Sequence, residues 1–346
     1  MKTSKTINKL IILFITFTVV SCTKDNPEPL MPISEKYDYG IFVTCEGNFN
    51  SANGSLSFIS DDGVVENNIF SSVNGFPLGD IVQSITIIDT TAYIVVNNSG
   101  KVVVADAGTM EYISEISVTT PDHMTAISND VAYVSDWNAF SDNGFVHVID
   151  LKSNEITNSI QVGHQPGEIL YSNGYVFVIE SGVWPEAGNS ISVINVESES
   201  VVENIIVATN PINMALNENI LWVLSKGETA YDENWQEISV TPGSLTSINT
   251  TSLQVNNIIE LHEGKIPRGL VCNDNLLYFK NSQSIFSQSA DASELNAMEI
   301  ITGNFNNEII YYDDHIYSAY VPSYDQSGEV YKFSSYGILE NTFQVG

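Results

Sequence analysis

The sequence predicts an all-β protein, specifically a seven-bladed β-propeller, on three observations. An aromatic-centred strand recurs seven times, a second strand follows each recurrence, and no amphipathic helix of useful length interrupts the series. The central aromatics are Phe42, Tyr93, Tyr133, Phe177, Trp222, Tyr278 and Tyr317, spaced by 51, 40, 44, 45, 56 and 39 residues. Four short strands in each unit of about 40 to 50 residues form a blade. A pair of β-sandwiches is the alternative, but it would not require so regular a unit.

Taken in order, the chain opens with a basic stretch (Lys2, Lys5, Lys9) and an apolar run over residues 10–20. Eleven residues are too few to cross roughly 30 Å of hydrocarbon, so the run reads as the core of a signal peptide. It ends in Val19-Val20-Ser21-Cys22, which resembles the lipobox of bacterial lipoproteins. Residues 1–21 are then a lipoprotein signal peptide, and Cys22 is lipidated. An ordinary signal peptide with an incidental Cys is the alternative. Two or three acyl chains, at about 0.8 kcal/mol per buried methylene, anchor firmly where one does not. Residues 22–37 carry Pro27, Pro29 and Pro32 without apolar periodicity and read as a flexible tether. Asp25 and Glu28 resemble the acidic export tag of surface lipoproteins.

The propeller is assigned to residues 38–346. Beyond the aromatic strands come second strands such as Ser55-Leu56-Ser57-Phe58-Ile59 and Phe145-Val146-His147-Val148-Ile149, then turns at Asp106, Asp150, Asn195 and Asn249. Outer strands follow over residues 155–160 and 201–207, and a further strand precedes each aromatic one, as in residues 84–88, 124–127 and 168–171. The chain enters at the second strand of the first blade. Either that blade has three strands, or residues 32–39 complete it from the N-terminal side. Residues 342–346 match the outer-strand text that elsewhere runs through Pro into the next inner strand (Val162-Gly163-His164-Gln165-Pro166), and the ring-closing inner strand that this text leads one to expect is missing after Gly346.

Twelve Lys and Arg stand against 42 Asp and Glu, a net charge of -30, which becomes -33 once Lys2, Lys5 and Lys9 are removed. That excludes nucleic acid, whose phosphates need a basic surface. It also disfavours direct adsorption to anionic lipid. Acidity of this kind keeps an extracellular surface soluble, with a diffuse calcium requirement as the alternative. After Cys22 only Cys45 and Cys272 remain, too few for a disulfide framework or a zinc cluster; a single disulfide is not expected if they lie in different blades.

In a four-stranded blade, the loops joining strands two and three share a face with the blade linkers. Here those loops are long and hold aromatics among Asn, Asp, Glu and Gly. The expected ligand-binding residues are Glu46, Asn48 and Phe49, Asn97 and Asn98, Asp136 and Trp137, Glu180 and Trp184, then Trp235, Tyr320 and Tyr324. Such a rim suits a ligand with apolar and polar edges. The alternative is that the aromatics pack beneath their own loops. Catalysis has little to rest on: no two of the five histidines have metal-ligand spacing, and no nucleophile elbow is present. Carboxylates are too numerous for a glycosidase pair to stand out. The run 136–144 lacks the terminal Glu of an EF-hand loop and reads as a turn-rich loop before a calcium loop. Arg268, the only arginine, reads equally as a structural partner for a carboxylate. No cofactor or metal is expected.

Glu46-Gly47-Asn48-Phe49, Asn53-Gly54-Ser55-Leu56-Ser57-Phe58, Leu78-Gly79-Asp80 and Tyr93-Ile94-Val95-Val96-Asn97-Asn98-Ser99 resemble the DUF5074, YncE-like propeller lipoproteins of Bacteroidota. Ala132-Tyr133-Val134-Ser135-Asp136-Trp137 and Gln326-Ser327-Gly328-Glu329-Val330-Tyr331 continue the likeness. It departs at Asp122-His123, where an Arg-aromatic pair is more usual. The group includes BtuG-type surface lipoproteins, which capture cobalamin and pass it to a TonB-dependent outer-membrane transporter. The resemblance implies a non-enzymatic propeller at the outer-membrane surface that captures a corrinoid or another bulky nutrient. The alternatives are an adhesive propeller that meets a protein or glycan, and an extracellular propeller hydrolase such as a lactonase.

Overall fold

The computed structural model describes residues 36–346 apart from 184–185, 235, 263–266, 304–306 and 324–325. Seven antiparallel blade sheets follow one another along the chain, six of four strands and the first of three, and a two-stranded hairpin, Glu228–Tyr231 with Glu237–Thr241, extends from blade 5. Each four-stranded blade runs from the channel outward in sequence order. Blade 3 is typical, with Pro121–Ala126 innermost, then Val131–Asp136, Phe145–Asp150 and Glu155–Gln161 outermost. The fold is the seven-bladed propeller that the repeat predicts.

The recurring aromatic has a common task. The second strand of each blade is apolar on both faces, and its central ring lies in the cluster between that blade and the next. Tyr93 packs with Met124 and Val134 of blade 3, Tyr133 with Ile169 and Val176 of blade 4, and Trp222 with Leu270 and Leu277 of blade 6. Burying such a ring removes 150–250 Å² from water, the largest contribution a single side chain can make. Trp222 is 2% exposed and Tyr133 fully buried.

The inner strands begin two to three residues earlier than their apolar text suggests, at Pro121, Pro166, Pro211 and Pro267. Proline has no N–H to place in a ladder, so it is tolerated at the first residue of a strand. Just inside, each of these strands carries a register shift: between Pro121 and Met124, Pro166 and Ile169, Pro211 and Asn213, and Arg268 and Leu270. Val82 and Ser84 of blade 2 repeat it. A bulge re-aims the side chains beside it, and here it does so at the same depth in five blades.

Blade 1 consists of Gly40–Cys45, Ser55–Ser60 and the short Val65–Glu66. Residues 36–39 form turns rather than a fourth strand, and Tyr37 N–H donates to the Gly108 carbonyl of blade 2, so the first blade is three-stranded among the described residues. The ring closes by side-chain packing instead: Ile41 and Ile59 of blade 1 meet Tyr317, Val330, Phe343 and Val345 of blade 7. A six-residue helix, Ile69–Asn74, buries Ile69 and Phe70 between blades 1 and 2. Cys45 and Cys272 are free and belong to blades 1 and 6.

Candidate functional site

Side chains from blades that are not neighbours can meet only at the axis, and several do. Asn213 of blade 5 lies 3.3 Å through its Nδ2 from Glu168 Oε2 of blade 4 and 3.3 Å from Glu308 Oε2, at the entrance to blade 7. Its Oδ1 accepts the Gly269 N–H of blade 6 at 2.8 Å. Met214 N–H donates to Glu168 at 2.9 Å. His123 of blade 3 joins them, with Nδ1 2.8 Å from the Asp122 carboxylate. His123, Glu168 and Asn213 each stand two residues past the strand-opening Pro, at the bulge. The repeat therefore directs a polar side chain into the channel from each of blades 3, 4 and 5, whereas in blade 6 the same position is Gly269, whose N–H joins the network.

The electrostatics follow from that crowding. His123 is surrounded by protein yet its side chain is 35% accessible, because the channel is open to water. Burial alone would lower its pKa, but the Asp122 carboxylate, with Glu168 and Glu308 beyond, raises it to about 9. Burial pushes Glu168 up to about 7, against the pull of His123 and the Met214 N–H. Burial likewise raises Glu308, partly offset by His123 and Arg268. At the rim, burial and then Asp122 raise Glu46, while Arg268 acts the other way. Lys280 is lowered to about 8 by burial and then by Arg268, and Lys226 is lowered by the same two causes.

The residues expected from sequence divide into three sets. Glu46 is exposed at the channel mouth and within electrostatic reach of Asp122 and Arg268. Phe49 is 65% exposed on its loop, and Asn48 and Trp137 are half-buried, as is Tyr320 at the end of its strand. The Asn48 N–H is held by Asn53 Oδ1 at 2.8 Å.

A second set is committed to internal work. Asp136, 1% exposed, accepts the Thr120 N–H, the Thr120 hydroxyl and the Asn138 N–H at 2.8, 3.1 and 2.8 Å, and lies 3.0 Å from His147 Nε2. Glu180 accepts the Gly163 N–H at 2.8 Å and the hydroxyls of Ser190 and Ser192. Both carboxylates stand in the last part of a second strand, and both tie down the linker leading into their own blade. Asn97, 5% exposed, donates through Nδ2 to the Pro121 carbonyl at 2.8 Å. Asn98 donates to Asp80 Oδ2 at 2.6 Å, which also accepts the Asn50 N–H, joining the loops of blades 1 and 2. Trp184, Trp235, Tyr324 and Cys22 lie outside the described residues.

The channel residues Glu168, Asn213, Lys226, Lys280 and Glu308 escaped the sequence reading. For Glu168 and Asn213 the signal was positional, two residues inside the Pro that opens an otherwise apolar strand; Lys226, Lys280 and Glu308 have no such mark. Among the described residues no three His, Cys, Asp or Glu side chains are grouped so as to hold a metal ion. The 136–144 loop folds as a 3₁₀ turn, with Asp136 turned to its own backbone.

Several solved structures share the fold at low sequence identity. A quinonprotein alcohol dehydrogenase-like protein from Bacteroides thetaiotaomicron is 15% identical with a TM-score of 0.65, over 87% of this chain and 76% of that one. The periplasmic gluconolactonase of Pseudomonas aeruginosa is 11% identical with a TM-score of 0.62, over 88% and 96%. Hydrazine synthase of Kuenenia stuttgartiensis is 15% identical with a TM-score of 0.62, over 81% and 89%. No curated protein sequence matches the chain. Residues 39–331, nearly the whole propeller, match one family, and the chain accordingly belongs to the Domain of unknown function family DUF5074.

Proposed function

We propose that this propeller is a non-enzymatic ligand-capture protein, lipid-anchored through Cys22 at the outer-membrane surface, that takes up a corrinoid for a TonB-dependent transporter. The observation that carries the capture reading is the convergence on one channel mouth of His123, Glu168 and Asn213, from the bulges of blades 3, 4 and 5, with Glu308 at the entrance to blade 7 and the Gly269 N–H of blade 6. Strands hold His123, Glu168 and Asn213, which favours tight, preorganised binding. Phe49, 65% exposed on the same face, adds apolar area at the rim. The corrinoid rests on the family likeness of the first two blades, and the surface location on the N-terminal text.

Titration of the mature domain with cyanocobalamin and dicyanocobinamide tests the ligand; binding of neither at micromolar concentration would falsify the corrinoid assignment. Cys22→Ala, which removes the acylated thiol, should move the protein from the membrane fraction to the soluble fraction of a native host. Unchanged fractionation would end the anchor reading.

A hydrolase is a second reading, favoured by the His123–Asp122 pair at 2.8 Å and by the likeness to a gluconolactonase. Against it, a histidine held at about 9 is charged at neutral pH and a poor general base there.

A further inference from the structure

Seven of the described residues are Lys or Arg, and four have an obvious use. Lys36, Lys101 and Lys152 pair with Glu66, Glu115 and Asp130, and Lys332 stands over the Tyr317 ring. The other three, Lys226, Arg268 and Lys280, converge on the channel mouth, and no described carboxylate lies within ion-pair distance of any of them. In a chain with 42 acids this is the wrong outcome for surface chance.

Arg268 and Lys280 are cross-strand partners in blade 6. Like charges in that position destabilise a sheet. Arg268 is exposed, whereas Lys280 is only 3% exposed. By strand alternation Lys280 shares a side with Tyr278, whose ring packs on Ile309 and Ile316 of blade 7. Ser318 lies on the same side of its strand as Ile316, 1% exposed, and its buried hydroxyl has no partner. Lys226 follows the second strand of blade 5 and lies within reach of the Arg268 charge. Glu46 and Glu308 temper the cluster from a distance, and burial leaves both less acidic than usual. A partly desolvated ammonium beside a guanidinium, with no carboxylate at ion-pair distance among the described residues, costs stability unless something outside the chain answers it.

We propose that Lys226, Arg268 and Lys280 form a subsite at the channel mouth, between blades 5, 6 and 7, for a phosphate-ester group on the captured ligand. A carboxylate is satisfied by one bidentate Arg. A guanidinium fork with two ammonium groups offers donors from three directions, which suits a tetrahedral oxyanion. The surrounding net negative charge weakens the hold on a free anion, so the subsite takes inorganic phosphate only at high concentration and holds the same group more tightly on a ligand that is also bound elsewhere on the face. This inference rests on the ligand-capture reading and specifies the part of the ligand that faces blades 5, 6 and 7.

Cyanocobalamin carries a phosphodiester in its nucleotide loop, and dicyanocobinamide does not. Calorimetric titration of both against the wild type, Arg268→Gln and Lys280→Met separates the possibilities. Wild type should prefer cyanocobalamin by about ten- to a hundredfold, as expected for a charge-assisted pair, and both variants should lose that preference. Equal affinities in the wild type, or a preference that survives both substitutions, overturns the subsite and leaves corrinoid capture standing. Should neither corrinoid bind, the corrinoid reading fails, and inorganic phosphate then tests the subsite alone. Saturable broadening of the phosphate ³¹P resonance by wild type, lost in both variants, upholds it with another phosphorylated ligand. No broadening overturns it as well.

Discussion

At the residue scale, the same side-chain type does opposite work at two depths. Asp136 and Glu180 stand in strand two of their blades and bind linker N–H groups, so their carboxylates are structural. Asp136→Ala would leave two backbone donors and a hydroxyl unpaired in a dry site, and should cost about 3 kcal/mol in urea unfolding. Glu168 and Glu308, by contrast, stand in the wet channel with their acidity weakened by burial. There pH dependence follows from sign. His123 titrates at about 9, above its ordinary 6.5, so its stabilisation is complete below pH 6.5 and is lost as pH rises through 9. Glu168 is raised to about 7 from 4.5, so folding disfavours its ionised form, and that cost develops between pH 4.5 and 7. Lys280 is lowered to about 8 from 10.5, so the cost of its charge is present below pH 8 and fades as pH rises to 10.5. Thermal melts across pH 5 to 9 should therefore show Tm falling, with His123→Gln flattening the decline above pH 6.5. An undiminished slope in that variant would contradict the assignment.

At the element scale, the inner-strand entrance is the repeated device. A left-handed residue precedes the strand in three blades: Ile81 (φ 60°), Gln165 (φ 44°) and Asn210 (φ 62°). Asn tolerates that conformation, whereas a β-branched residue does not. Ile81→Asn should raise stability by about 1 kcal/mol, read as a higher urea midpoint with unchanged slope. The bulge that follows explains why sequence reading placed the start of each inner strand too late. Pattern recognition follows apolar alternation, and the bulge breaks it where the chemistry lies. The polar residues two past the Pro were visible in the text, but their meeting at the axis was not, because it depends on blades that are distant in sequence.

At the scale of the whole molecule, six interfaces join consecutive blades, and the seventh joins blade 7 to blade 1 through packing and two hydrogen bonds, Gly346 N–H to Ser57 Oγ and Asn67 Nδ2 to the Gln344 carbonyl. The strand Gly40–Cys45 has no ladder partner on its channel side among the described residues. Its channel-facing amides should exchange hydrogen well before those of Thr91–Val96, which is paired on both sides. Phe343→Ala, at a 5% exposed position in the closing cluster, should cost about 3 kcal/mol and speed exchange in blades 1 and 7 first. Uniform acceleration round the ring would show that closure is not the weak seam. Self-repulsion at a net charge of -30 should also make Tm rise with salt, and a scan from about 20 to 500 mM NaCl checks it.

The sequence by itself determined the blade number, the aromatic strand of every blade and the acidity of the surface. Each is a local or periodic property, and burial of one ring per unit follows from strand alternation alone. Only the tertiary structure decided that blade 1 has three strands, that Asp136, Glu180 and Asn97 hold the scaffold, and that Lys226, Arg268 and Lys280 share one mouth. A side chain's partners across a ring depend on bulges and on strand depth, and neither quantity has a period that a linear text records.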